Sequence, residues 1–198
     1  METAHKLQLR FWGVRGSTPS PGKDTLVYGG NTPCVEIRTA SNQILVFDGG
    51  SGIRELGRQL AAEFAGRDLP LNLFLTHFHW DHIQGLPFFE PAYTVGNAFT
   101  LVGPAQPTAD LVQILAGQMA SVYFPVGLEQ FCARMEFQEI DEGSCRLGGI
   151  QIDTLYSFHP GRSLIYRISH AGKRVVYATD NELPLGWKAA GGAVAYQV

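Results

Sequence analysis

The sequence predicts an α/β domain of the layered α+β kind, built on a mixed sheet. Three observations predict it. Short apolar runs bounded by Gly, Asp, Asn and Pro recur along the chain. In the first half they alternate with stretches of helical period, whereas in the second half short turns join them. No linker, repeat or low-complexity tract interrupts the 198 residues, so positions 1–198 are expected to form one domain.

Leu7–Val14, Val35–Thr39 and Ile44–Phe47 read as strands, the first two alternating in part. Gly52–Ala65 places Ile53, Leu56, Leu60 and Phe64 at helical spacing, which predicts a helix with one buried face. Leu71–Leu75 is almost continuously apolar, as in a strand covered on both faces. Phe99–Val102 reads as a further strand, and Thr108–Met119 as a second amphipathic helix capped by Thr108. Arg134–Ile140, Gly149–Tyr156, Ser163–Ser169 and Arg174–Ala178 read as strands, with His170–Lys173 as a hairpin turn around Gly172.

Composition narrows the function classes. Fifteen Lys and Arg against 18 Asp and Glu leave a net charge of −3, so no basic field marks a nucleic-acid-binding or anionic membrane surface. No apolar run of about 18 residues exists to span a membrane. Met1–Leu9 carries no signal-peptide core and reads as the start of a mature soluble protein. Cys34, Cys132 and Cys145 are odd in number and lack CxxC spacing; they read as half-buried small hydrophobes and point to a reducing cytoplasm. The 23 glycines exceed the usual share of about 7% and belong to turns and close backbone approaches.

The chemistry is concentrated in Thr76-His77-Phe78-His79-Trp80-Asp81-His82, directly after the buried strand. In an extended strand end, positions i and i+2 point the same way, so His77 and His79 converge on one point. Asp81 and His82 follow where the chain turns, aimed at a neighbouring point. Three imidazoles and a carboxylate suit zinc, iron or manganese. Trp80 reads as packing that fixes this loop, and Phe88, Phe89 and Tyr93 as core, with an apolar pocket wall as the alternative.

The motif HFHWDH resembles the HxHxDH signature of the metallo-β-lactamase-fold superfamily. The resemblance extends to its phosphodiesterase-like branch through FWGVRGSTPSPG, YGGNTPCVEI, GIRELG, LTHFHWDHIQGLPFF and the HPG, YRI and VVYATDNE segments. It implies an αββα sandwich lacking its C-terminal segment. It also implies two divalent metals, zinc foremost with manganese or iron as alternatives. By resemblance, His77, His79 and His159 bind the first metal, Asp81 and His82 the second, and Asp180 bridges them. Asp48, in FDGG, supports the metal-binding loop from behind. His159 and Asp180 flank a predicted hairpin at the same end, as a shared site requires. His170 falls at the opposite end and His5 in a polar terminus, so neither is expected to bind metal. Asn31 reads first as a turn residue and second as part of the pocket mouth. Arg15 reads as a surface charge or as a contact for an anionic substrate.

One departure from the resembled pattern stands out. The branch carries a further histidine beyond the bridging Asp, whereas no histidine follows His170 here; Glu182 is polar and close in sequence. The second metal is therefore expected to be the weaker, and the missing segment is expected to expose a sheet edge that invites homo-oligomer formation.

The resulting expectation is a metal-dependent hydrolase of a small or nucleotide-like phosphodiester. Its metal-bound hydroxide would attack phosphorus, and Asp81 would orient that hydroxide and take up a proton. The alternatives are a metal-binding remnant with a binding or regulatory role, and, less well supported because position 79 is His, a di-iron redox protein.

Overall fold

The computed structural model describes residues 7–182. His5 and the segment after Glu182 lie outside these residues.

Among the described residues ten strands form two sheets. In the first, β1 (Leu7–Gly13), β2 (Cys34–Thr39) and β3 (Ile44–Phe47) pair antiparallel. From β3 onward, β4 (Pro70–Phe74), β5 (Ala98–Pro104) and β6 (Arg134–Ile140) add in parallel, in the order of the sequence. The second sheet is antiparallel and comprises β7 (Gly143–Leu147), β8 (Ile150–Tyr156), β9 (Leu164–His170) and β10 (Lys173–Tyr177), with β10 at one edge. Helices α1 (Gly52–Glu63), α2 (Trp80–Ile83) and α3 (Leu111–Gln118) follow β3, β4 and β5.

Two apolar layers hold these parts together. Ile44, Val46, Leu71, Leu73, Phe99 and Leu101 face Ile53, Leu56 and Leu60 of α1 and Leu111 and Leu115 of α3. The alternate residues Leu45, Phe47, Phe74 and Val102 face Ile150, Ile152, Leu164, Tyr166 and Ile168 of the second sheet. This double covering explains why β3 and β4 read as continuous apolar runs. The layers are therefore helix, mixed sheet and antiparallel sheet. Among the described residues no α-helix follows β8, β9 or β10, and Leu155 and Val176 remain exposed.

Several expectations need correction. Helix α3 starts at Leu111, not Thr108, because Asp110 is its cap: its Oδ1 accepts the Gln113 N–H at 2.7 Å, and Gln113 Oε1 accepts the Asp110 N–H at 3.1 Å. Helix α1 ends two residues early, at Glu63, and the chain turns at Gly66 with φ +74°. Strand β7 was not predicted; its sequence GSCRL is polar because the strand lies exposed at a sheet edge. Trp80 is 79% exposed and packs into no core. Phe89 is core, but Phe88 is exposed, its ring 5.3 Å from that of Phe124. Cys34 is fully buried while Cys132 and Cys145 are exposed, so burial divides the three cysteines. No helix among the described residues is long and apolar enough to cross a membrane.

Candidate metal centre

The centre lies where the parallel strands β3 and β4 end, the usual location for a site on such a sheet. Phe47 leads into Asp48, whose φ of +61° turns the chain sharply; Asp is among the few residues that tolerate this conformation. Beyond β4, His79 is still extended (φ −63°, ψ 148°) and caps α2, so His77 and His79 project together while Asp81 and His82 sit within the helical turn. Two glycines allow this turn to pack on the loop after β3. A Cβ on Gly50 would lie 2.2 Å from the Asp81 carbonyl oxygen, and one on Gly85 would lie 2.1 Å from that of Gly50. The Gly49 N–H donates to the His82 carbonyl at 2.7 Å across the contact.

The second sheet delivers the remaining groups. Leu164 N–H donates to the Thr76 carbonyl at 2.8 Å, docking β9 beside the histidine segment. Loops 157–159 and 180–182 are laced together: Phe158 N–H donates to Asn181 Oδ1 at 3.0 Å, and Glu182 N–H to the Phe158 carbonyl at 2.8 Å. His159 and Asp180 thus share one end of the hairpin. Asp180 has φ +48°, a second carboxylate in the left-handed region.

Two groups of donor atoms result, each with all atoms within 4.8 Å of one another: His77, His79, His159 and Asp180, and Asp81, His82 and Asp180. Asp180 belongs to both, and its oxygens divide between them. Oδ2 lies 3.6 Å from His77 Nε2 and 3.6 Å from His159 Nε2, while Oδ1 lies 3.5 Å from His82 Nε2. His159 Nε2 and His79 Nδ1 face each other at 3.1 Å. Asp81 Oδ2 is 3.6 Å from His82 Nε2 and accepts the Ser17 backbone N–H at 2.7 Å.

Among the described residues, the buried Nε2 atoms of His77 and His82 have no hydrogen-bond partner. Such orphaned buried nitrogens are costly unless something else satisfies them, and a cation among imidazoles and carboxylates does so. The donor set therefore fits a divalent metal.

Behind the donors, Asp48 accepts from His82 Nδ1 at 2.8 Å, from the Thr76 N–H at 2.8 Å and from the Tyr177 hydroxyl at 2.9 Å. The surroundings pull the two inner imidazoles apart in basicity. Burial, with the nearby His82, pushes His77 down to about 4. Burial opposes charge on His82 as well, but Asp48 and Asp180 outweigh it and lift that group to about 10. Asp180 is held below the ordinary carboxylate range, first by its contact with His82.

The six residues expected at the metals are thus brought together, and Asp48 lies directly behind them. Arg15 and Asn31 are not in either donor group. The Arg15 side chain is exposed; its backbone N–H donates to the Asn31 carbonyl at 2.9 Å. Asn31 Oδ1 accepts from Ser51 Oγ at 3.2 Å, which makes it a clasp of the loop. Glu182 is exposed and outside both groups. His170 Nδ1 lies 3.1 Å from the Gly149 carbonyl, away from the centre. Sequence reasoning missed the Ser17 N–H, Thr76 and Tyr177. Only Thr76, next to the motif, carried a local signal.

A helical layer, a mixed sheet and an antiparallel sheet around a histidine–aspartate cluster define a metallo-β-lactamase-type fold. The chain belongs to the beta-lactamase superfamily: residues 45–188 match the Beta-lactamase superfamily domain. It is 25% identical over 182 residues to ribonuclease Z of Streptococcus thermophilus, covering 86% of this chain and 50% of that protein. It is 30% identical over 138 residues to ribonuclease Z of Bradyrhizobium diazoefficiens, covering 68% of this chain and 42% of the relative. The chain thus spans about half the length of these relatives. Among solved structures, the metallo-β-lactamase fold protein YhfI of Bacillus subtilis superposes with a TM-score of 0.59 at 18% identity, covering 87% of this chain and 61% of YhfI.

Proposed function

We propose that residues 1–198 form one metallo-β-lactamase-like domain that hydrolyses phosphodiesters at a dinuclear metal centre. The observation that carries this reading is the division of Asp180, one oxygen toward His77 and His159 and the other toward His82. In this reading His77, His79 and His159 hold the first metal, Asp81 and His82 the second, and Asp180 both. Zinc suits this nitrogen-and-oxygen donor set best, with manganese and iron as alternatives.

Bound there, divalent cations would supply water activation and neutralise charge developing on a phosphoryl group. The residues prepare that chemistry. Asp48 holds the His82 imidazole so that its Nε2 lone pair faces the centre. The Ser17 N–H fixes Asp81, which orients the attacking water and takes up its proton. Exposed His79 sits on the solvent side, where substrate enters. The relatives named ribonuclease Z act on RNA, whose linkages are phosphodiesters; this supports that class of substrate for the present chain. The net charge of −3 favours a small or nucleotide-like diester over a long polyanion. Free cysteines fit a cytoplasmic setting. Among the described residues β10 is an edge strand, which supports a homo-oligomer formed along it.

The second donor group has three members against four in the first, which favours weaker second-metal binding and keeps a catalytically weak metal-binding protein as the second reading. Hydrolysis of a chromogenic phosphodiester with added zinc or manganese separates the two. Turnover abolished by His79→Ala and Asp81→Ala supports the hydrolase; one tight metal with no turnover supports the second reading.

A further inference from the structure

Asp48 is fully buried and its acceptor capacity is used completely. A carboxylate offers about four lone-pair sites. They face the Thr76 N–H at 2.8 Å, the Thr76 hydroxyl at 3.0 Å, His82 Nδ1 at 2.8 Å and the Tyr177 hydroxyl at 2.9 Å. Because the carboxylate only accepts, the single Thr76 hydroxyl proton is directed to it. The lone pairs of Thr76 Oγ1 are then left to accept from His77 Nδ1, 3.0 Å away. The proton arrangement around Asp48 therefore orients both inner imidazoles, His82 directly and His77 through Thr76, with each Nε2 facing Asp180.

Tyr177 is the only one of these donors that comes from the second sheet. It lies on β10, three residues before Asp180, and pairs in register with Tyr166 of β9. The Tyr166 hydroxyl donates to the Leu75 carbonyl at 2.7 Å, at the end of β4. Two register-paired tyrosines thus pin the hairpin to the ends of β3 and β4. Only Tyr177 is tied to the metal centre, because Tyr166 reaches a backbone carbonyl. Burial and Asp48 hold the Tyr177 phenol well above its ordinary range, so it remains a donor. Its ring packs on Phe47, with centroids 5.6 Å apart, a contact that does not need the hydroxyl.

We infer that Tyr177 is a positioning residue: through Asp48 its hydroxyl fixes the strand bearing Asp180 relative to the imidazoles of His82 and His77. The inference rests on the reading of those residues as metal ligands. It concerns how the ligands from two sheets keep a common geometry.

The test compares Tyr177→Phe with Tyr166→Phe, each of which removes one buried hydroxyl and keeps its ring. Zinc affinity is measured by competition with a chromophoric chelator, alongside thermal melting. Both variants are expected to melt somewhat lower. Tyr177→Phe is expected to bind zinc several-fold more weakly, up to about 10-fold, and Tyr166→Phe to match the wild type. This is the lower end of the cost of losing a group directly behind a ligand, because Asp48 stands between. Equal affinity in Tyr177→Phe and wild type overturns the inference alone. A wild type that binds no zinc overturns the functional reading, and this inference with it. Should Tyr177→Phe fail to fold, NMR of the wild type decides: a cross-peak between the His82 Nδ1 proton and the Tyr177 hydroxyl proton is expected, and its absence overturns the inference.

Discussion

The two donor groups differ in opposite senses. The first has four members, three of them histidines, and opens to solvent at His79. Its His159 Nδ1 is buried without a partner among the described residues. The second has only three members, but two are buried and each is held from behind, His82 by Asp48 and Asp81 by the Ser17 N–H. The first group relies more on donor number, with His77 alone oriented from behind through Thr76, and the second on orientation of both its buried members, two routes to affinity. In the proposed reading the open group would receive substrate and the buried one would hold Asp81 in place.

Asp180→Ala should have the largest effect, because it removes the shared member; phosphodiesterase activity is expected to fall by about 10²–10³-fold or more, measured with a chromogenic diester. His79→Ala and His82→Ala sharpen the comparison. Zinc titration should find the tighter equivalent weakened in His79→Ala and the weaker one lost in His82→Ala; loss of both equivalents in either variant would merge the two groups into one. Asp48→Asn should weaken zinc binding by about 10–100-fold, with the second metal lost first, as read by chelator competition.

A smaller effect concerns pH. In chelator-treated protein, His82 is lifted from 6.5 to about 10, so its stabilising contribution is complete below pH 6.5 and lost as pH rises through 10. His77, lowered to about 4, acts in the other direction: its cost is complete below pH 4 and absent above 6.5. Melting temperature should therefore be highest near neutrality, and His82→Gln should flatten its alkaline decline. Trp80→Ala should do least. This exposed residue lies between His79 of one group and Asp81 of the other, and its loss should change stability by no more than about 0.5 kcal/mol. A clear drop would show that Trp80 does brace the loop.

Most strands were legible in the sequence because burial imposes a pattern, continuous in β3 and β4 and alternating in part in β1 and β2. Strand β7 was not, because an exposed edge strand has no apolar period to read. The start of α3 was misplaced because Thr108 and Asp110 are both competent caps, and only the reciprocal bonds with Gln113 distinguish them. At the centre, His77, His79, Asp81 and His82 were visible as a local motif. His159 and Asp180 were picked out by the family resemblance, and the hairpin joining them supported that reading. Tyr177 was not visible, since its partner Asp48 lies 129 residues away and belongs to the other sheet. Nor was the Ser17 contact, because a backbone N–H leaves no trace in residue type.

The central claim is that Asp180 joins two metal sites of unequal strength. Titrating the metal-stripped protein with zinc, followed by calorimetry, tests it most directly. Two equivalents should bind, the second more weakly, with one equivalent remaining in His82→Ala. A single equivalent in the wild type, unchanged by His82→Ala, would contradict the account.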